Sequence, residues 1–152
     1  MIQSIQDLSG QIELDKFGNW WHEGTKFSKK SLIQLFNKSI NFNKEQNNYF
    51  LQIGHNKALF KYFLTPLFIT EIDYQQNIIY LNTQTKLNVS SVNFYFSRNL
   101  NEIIVKFTDI SDADILHIAR FTPSQYQIFS AKISGEQEIK FSNFFKPITS
   151  ID

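Results

Sequence analysis

Apolar residues recur at helical spacing in only two stretches of this chain; elsewhere they alternate with a period of two. Helical recurrence lies near 3.6 residues and strand recurrence at 2, so the pattern dictates a sheet-dominated fold with few helices. Leu32, Ile33, Phe36 and Ile40 form the first helical stripe, over 29–40, a length of roughly 18 Å. Ser28 precedes it as the predicted N-cap. The second helix is expected after Thr122. Pro123 suits its first position, because that N–H has no intrahelical partner, and Tyr126 and Phe129 share one side.

Strands fill the remainder. Ile12 and Leu14 alternate with polar neighbours, Asp15-Lys16-Phe17-Gly18 reads as a turn, 19–22 returns as a hairpin partner, and Gly24 ends it. Residues 41–48 are polar and expected as a loop. Tyr49, Leu51 and Ile53 start the next strand, with a turn at Gly54-His55-Asn56. Strands at 59–64 and 67–72 are separated by Pro66, which cannot donate a ladder hydrogen bond. A turn at 75–77 precedes a strand at 78–81. Leu87 and Val89 share one face, while Val92, Phe94 and Phe96 continue with shifted parity, so a bulge is expected at Ser90-Ser91. Further strands are read at 103–107 and 115–120 and at Ile139 and Phe141. The tail from Asn143 receives no assignment. Phe27-Ser28 and Phe121-Thr122 open the two helices 94 residues apart, and the same offset pairs Leu32 with Tyr126 and Leu35 with Phe129. The expectation is an α+β protein of two small related halves, residues 10–81 and 82–148, each an antiparallel sheet with one helix.

Composition removes several chemistries. The 152 residues include no Cys, which excludes disulfides, thiol nucleophiles and Cys-type zinc sites. A net charge of +1 and the lack of an RNP-like motif argue against nucleic acid as a partner. His22, His55 and His117 are dispersed. There is no G-x-S-x-G elbow, phosphate loop or H-E-x-x-H motif. His22 and Glu23 adjoin, but neighbours on a strand point to opposite faces. No enzyme, metal or cofactor is therefore expected. Residues 1–10 have no basic start followed by an apolar run, and residues 58–70 are too short to span a bilayer. A cytoplasmic protein, not a membrane protein, is expected. Of the aromatic residues, the 16 Phe partly reflect a composition rich in AT-encoded amino acids.

Three features invite a binding role. Trp20 and Trp21 adjoin on a strand, so one faces the core and the other the opposite side. Lys26, Lys29 and Lys30 crowd a helix start, an end already partly positive, where free N–H groups and lysines suit a phosphate or carboxylate. Their other reading is a solvated lysine face. Arg120 is one of two arginines among 13 lysines. Its planar fork suits a carboxylate or phosphate, and a structural salt bridge explains it equally well.

The run I-E-L-D-K-F-G-N-W-W-H-E-G, then F-S-K-K-S-L-I-Q-L-F, then Y-F-L-Q-I-G resembles bacterial domain-of-unknown-function family 1285. That family opens with a D-G-x-W-x-x-x-G hairpin, a basic residue, an L-V-x-L-F helix and a Y-x-L strand. Trp20, His22 and Gly24 stand at the hairpin positions, Lys29 at the basic one, and Leu32, Leu35 and Phe36 on the helix. Thr65-Pro66 resembles a later x-P-F turn, although Phe63 and Leu64 replace the acidic pair before it. Ile118 to Arg120 resembles an I-x-R strand. The resemblance is clear over 12–72 and looser to about 130. It implies two duplicated α+β halves, the second superficially pleckstrin-homology-like, and ligand binding or signalling where the halves meet. The expected site is a cleft between the halves holding a small anionic ligand. Trp20 would be its flat wall, Lys29 and Arg120 its positive charge and His22 a hydrogen-bonding group. The alternative is a protein-interaction or homodimerisation module using its β surface.

Overall fold

The computed structural model describes residues 11–152. The expectation of no signal segment concerns residues 1–10, outside the described residues. The fold is mixed, with two α-helices and three sheets among the described residues. The chain divides into two compact units. One runs through Pro66 and includes Asn82–Gln84; the other comprises Leu67–Leu81 and Thr85–Asp152.

In the first unit the elements are β1 (Ile12–Leu14), β2 (Trp20–His22), β3 (Thr25–Lys26), α1 (Lys30–Lys38), β4 (Ile40–Asn43), β5 (Asn48–Ile53), β6 (Asn56–Ala58) and β7 (Lys61–Tyr62). They form a four-stranded sheet ordered β3-β2-β1-β7 and a three-stranded sheet ordered β4-β5-β6. In the β1–β2 turn, the Asp15 carboxylate accepts the backbone N–H groups of Phe17 and Asn19, each at 2.9 Å. Glu23 and Gly24 link β2 to β3 with φ of 49° and 82°. A two-residue hairpin loop with both φ positive matches the twist of the strands it joins, and only Gly takes that conformation freely.

Helix α1 starts one residue later than the pattern predicts. Lys29 is its N-cap, with extended backbone and no side-chain capping bond, and its carbonyl accepts from Leu32 and Ile33 at 3.1 Å. It also ends earlier. The Ser39 hydroxyl donates back to the Leu35 carbonyl at 2.6 Å, and Ile40 leaves to pair with Leu51 on β5. Of residues 41–48, expected as a loop, only 44–47 form a turn; 41–43 belong to β4 and Asn48 opens β5. Ile40 and Phe42 alternate with Asn41 and Asn43 in β4, and Asn43 Oδ1 holds the turn by accepting from Glu45 and Gln46. The strand expected at 59–64 is replaced by β6, which ends at Ala58, and the short β7.

The second unit contains β8 (Phe68–Asp73), β9 (Ile78–Leu81), β10 (Lys86–Asn88), β11 (Val92–Ser97), β12 (Glu102–Thr108), β13 (Leu116–Phe121), α2 (Pro123–Ala131), β14 (Glu138–Lys140) and β15 (Phe145–Ile151). One eight-stranded sheet runs β10-β9-β8-β13-β12-β11-β15-β14. It is not wholly antiparallel, because β8 runs parallel to β13 and β15 parallel to β11. β8 and β9, placed by the sequence pattern in the first half, pair within this sheet. The unassigned tail supplies β15, an interior strand. The parity change before β11 comes from a 3-10 turn, Val89–Ser91, tied by Asn88 Oδ1 to Ser90, rather than a bulge. The irregular register lies instead between Ile69 and Glu71 on β8.

Helix α2 begins as expected, with Thr122 as N-cap and Pro123 first. Each helix spans nine residues and buries one side chain fully, Phe36 on α1 and Phe129 on α2. The N-caps Lys29 and Thr122 stand 93 apart, as do these Phe residues, so the offset of 94 shifts by one with the corrected cap. Phe36 meets Trp20 and Phe27 edge-on, with centroids at 5.4 and 5.0 Å. Phe129 lies 4.7 Å from Phe121 and 5.0 Å from Phe94.

Truncating Phe129 leaves a cavity among rings held on three elements. Phe129→Ala is expected to cost about 3–5 kcal/mol in urea unfolding. Tyr74 gives an opposite case. Among the described residues its buried hydroxyl has no hydrogen-bond partner, and burial pushes its pKa up to about 12. Removing an unsatisfied buried hydroxyl relieves its desolvation, so Tyr74→Phe is expected to raise stability by about 1 kcal/mol in the same measurement.

Candidate functional site

The alternation in β1 and β2 decides which tryptophan meets solvent. Leu14 pairs with Trp20, Glu13 with Trp21 and Ile12 with His22. Ile12 and Leu14 are buried, so Trp20 and His22 share their inner face and Trp21 takes the outer one. Trp20 is 1% exposed, and its indole N–H donates to Asn37 Oδ1 on α1 at 2.7 Å. Phe60 closes on the ring at 5.2 Å. Trp20 is thus a core anchor and presents no open flat wall, contrary to the role expected of it.

Trp21 is partly exposed. It lines an open groove of 640 Å³ together with Gln11, Ile12, Glu13, Asp15, Glu23, Gly24 and Lys61. Asp15 Oδ2 accepts the Trp21 indole N–H at 2.9 Å and fixes the ring. Burial alone would raise the Asp15 pKa. The hydrogen bonds from the Asn19 backbone, the Trp21 indole and the Phe17 backbone outweigh it and hold the carboxyl below its usual range. Directly paired positions set Lys26, Trp21, Glu13 and Lys61 in one row across β3, β2, β1 and β7. Trp21 and Glu13 are the residues that the sequence-derived site omits. The parity of Ile12 and Leu14 points Glu13 outward, and Trp21 follows it only through the pairing of the two strands.

Lys29 is exposed at the start of α1, as are Lys26 and Lys30. No acidic residue occupies that first turn. A 420 Å³ hollow there is lined by Gly18, Asn19, Trp20, Lys26, Phe27, Ser28 and Ile33. Just before Pro66, where the resembled family carries acids, Phe63 and Leu64 are exposed and Leu64 has φ of 66°.

Arg120 belongs to the second unit. It is 7% exposed on β13, and its guanidinium grips Glu102 of β12 through Nη2–Oε1 at 2.6 Å and Nε–Oε2 at 3.3 Å. The salt-bridge reading of this residue therefore has its partner. On the same strand, buried His117 lies 2.7 Å from Asp109 Oδ1 through Nε2, with Phe107 against its ring. Asp109 also accepts the Ser111 hydroxyl at 2.7 Å. His22 and His55 lie in the first unit, on β2 and in the β5–β6 turn. Among the described residues no three His, Asp or Glu side chains gather as metal ligands. No helix there is long and apolar enough to cross a membrane.

No family model and no curated protein matches the chain. Two solved structures match its fold. A DUF1285 family protein from Silicibacter pomeroyi DSS-3 is 11% identical with a TM-score of 0.56, over 91% of this chain and 79% of that one. A DUF1285 family protein from Shewanella baltica OS155 is 15% identical with a TM-score of 0.51, over 79% of this chain and 90% of that one. The likeness expected from residues 12–72 is thus present in the fold.

The His117 hydrogen bond, together with those from Ser111, brings the Asp109 pKa down to about 2. A folded-state pKa below the unfolded value adds stability above the unfolded pKa, which is lost as pH falls through the folded one. Asp109→Asn is expected to be less stable than the parent at pH 7 by about 1–2 kcal/mol. The gap should narrow from pH 4 to pH 2 in denaturant titrations.

Proposed function

We propose that this chain is a non-catalytic binding module of the cytoplasm that takes a small molecule in the groove over Trp21. The observation carrying this reading is a large aromatic ring, partly exposed, that lines a 640 Å³ groove and is braced by Asp15. Such rings offer wide apolar contact at low entropic cost. The mixed polar lining suits a ligand, while Arg120 and His117 of the second unit are engaged in internal pairs with Glu102 and Asp109. We read the two units as related halves, supported by their nine-residue helices and the single buried Phe at the same place in each.

A second reading keeps the expected anionic ligand and moves it to the hollow at the start of α1. It is favoured by Lys26, Lys29 and Lys30 around an uncapped first turn. Here Lys29, exposed at the helix start, would add positive charge near the hollow that Lys26 lines. The protein-interaction alternative would draw on exposed Leu59, Phe63 and Leu64.

Thermal-shift screening with Trp21→Ala as the control separates these readings. A ligand at 100 times its dissociation constant should stabilise the parent by roughly 2.7 kcal/mol and leave Trp21→Ala unmoved. Stabilisation lost in Lys26→Gln/Lys29→Gln instead would select the α1 hollow. Concentration-dependent self-association, with no ligand effect, would select the interaction module.

A further inference from the structure

From the lining of the Trp21 groove we infer that its ligand is a small organic cation, an ammonium or guanidinium compound. This rests on the reading of that groove as the binding site and adds the charge class. Three carboxylates, of Glu13, Asp15 and Glu23, line the groove against the single ammonium of Lys61. Asp15 is occupied in holding the ring and turn, through bonds from Trp21, Phe17 and Asn19. Glu13 and Glu23 are exposed, and among the described residues neither carboxylate has a hydrogen bond or ion pair. Glu13 sits in register beside Trp21 on the outer face of the sheet, with Lys26 in register on the other side. Lys26, which opposes Trp21 from β3, lines the α1 hollow rather than this groove.

A cation over an indole face is attracted by the ring quadrupole, and Trp is the strongest of the aromatic side chains in this respect. Carboxylates beside the ring add Coulombic attraction to the same group and repel an anion. The ring and the two glutamates therefore select the same sign of charge, opposite to the one that the α1 lysines favour.

The indole N–H resonances report the outcome. Trp21→Phe assigns the two signals, and the buried indole of Trp20 serves as an internal reference. Choline chloride and agmatine are titrated against the ¹⁵N-labelled parent, with sodium phosphate, sodium acetate and glucose as comparisons. The expected result is a saturable shift of the Trp21 signal with the cations alone. Glu13→Gln/Glu23→Gln should weaken it about tenfold, and added salt should weaken it further. Both glutamates are exposed, so this variant keeps its fold, checked by an unchanged Trp20 signal. A saturable shift with phosphate, acetate or glucose but not the cations would overturn the charge class and leave the groove standing. Undiminished cation binding by the double variant would also overturn it. No shift with any probe would overturn both the charge class and the groove.

Discussion

The placement of one side chain, Trp20, governs the first unit. Its ring fills the space between hairpin and helix, against Phe36 and Phe60, and its N–H reaches Asn37 on α1. A buried indole needs such an acceptor, because an unpaired N–H in an apolar interior is expensive. Side chains alternate strictly along a strand, so fixing Trp20 inward fixes every neighbour. Trp21 and Glu13 must point out, and Ile12, Leu14 and His22 must point in. A slip of one residue would bury Glu13 and expose Ile12 and Leu14, which is why the register is secure. The groove is thus a by-product of core packing, and Asp15 converts it from an exposed ring into a braced one.

How much of this was legible depended on whether the signal was local. The β1–β2 hairpin, the α2 start at Thr122-Pro123 and the strands β8, β9, β12 and β13 follow from period and turn chemistry. The end of α1 does not. Ile40 fits the helical stripe as well as a strand, and only pairing with Leu51 decides between them. β4 was read as a loop because its Asn residues mask the alternation of Ile40 and Phe42. β15 went unread because Pro147 and the spaced aromatics disguise a strand whose partner, β11, is remote in sequence. For the site, sequence parity narrowed the choice to one of two tryptophans, and tertiary packing made it. Arg120 was legible as a residue that needs its fork; that the fork closes on Glu102 required the sheet.

The polar pairs of the second unit do different work from the groove. Arg120–Glu102 ties β13 to β12, and His117–Asp109 ties β13 to the residue just after β12. Removing Glu102 would leave the buried Arg120 charge uncompensated, so that pair opposes substitution while contributing to cohesion of the sheet.

The two parallel joints of the large sheet have a kinetic consequence. Phe68 pairs with Arg120, and Phe94 with Ile148, so roughly fifty residues must be ordered between partners. Hairpins such as β9–β10 and β11–β12 can form early from near neighbours. The sheet interior, however, closes only when β15 arrives between β11 and β14. Until then β11 offers an open edge beside Phe94, and pairings this remote in sequence slow the closure of the sheet.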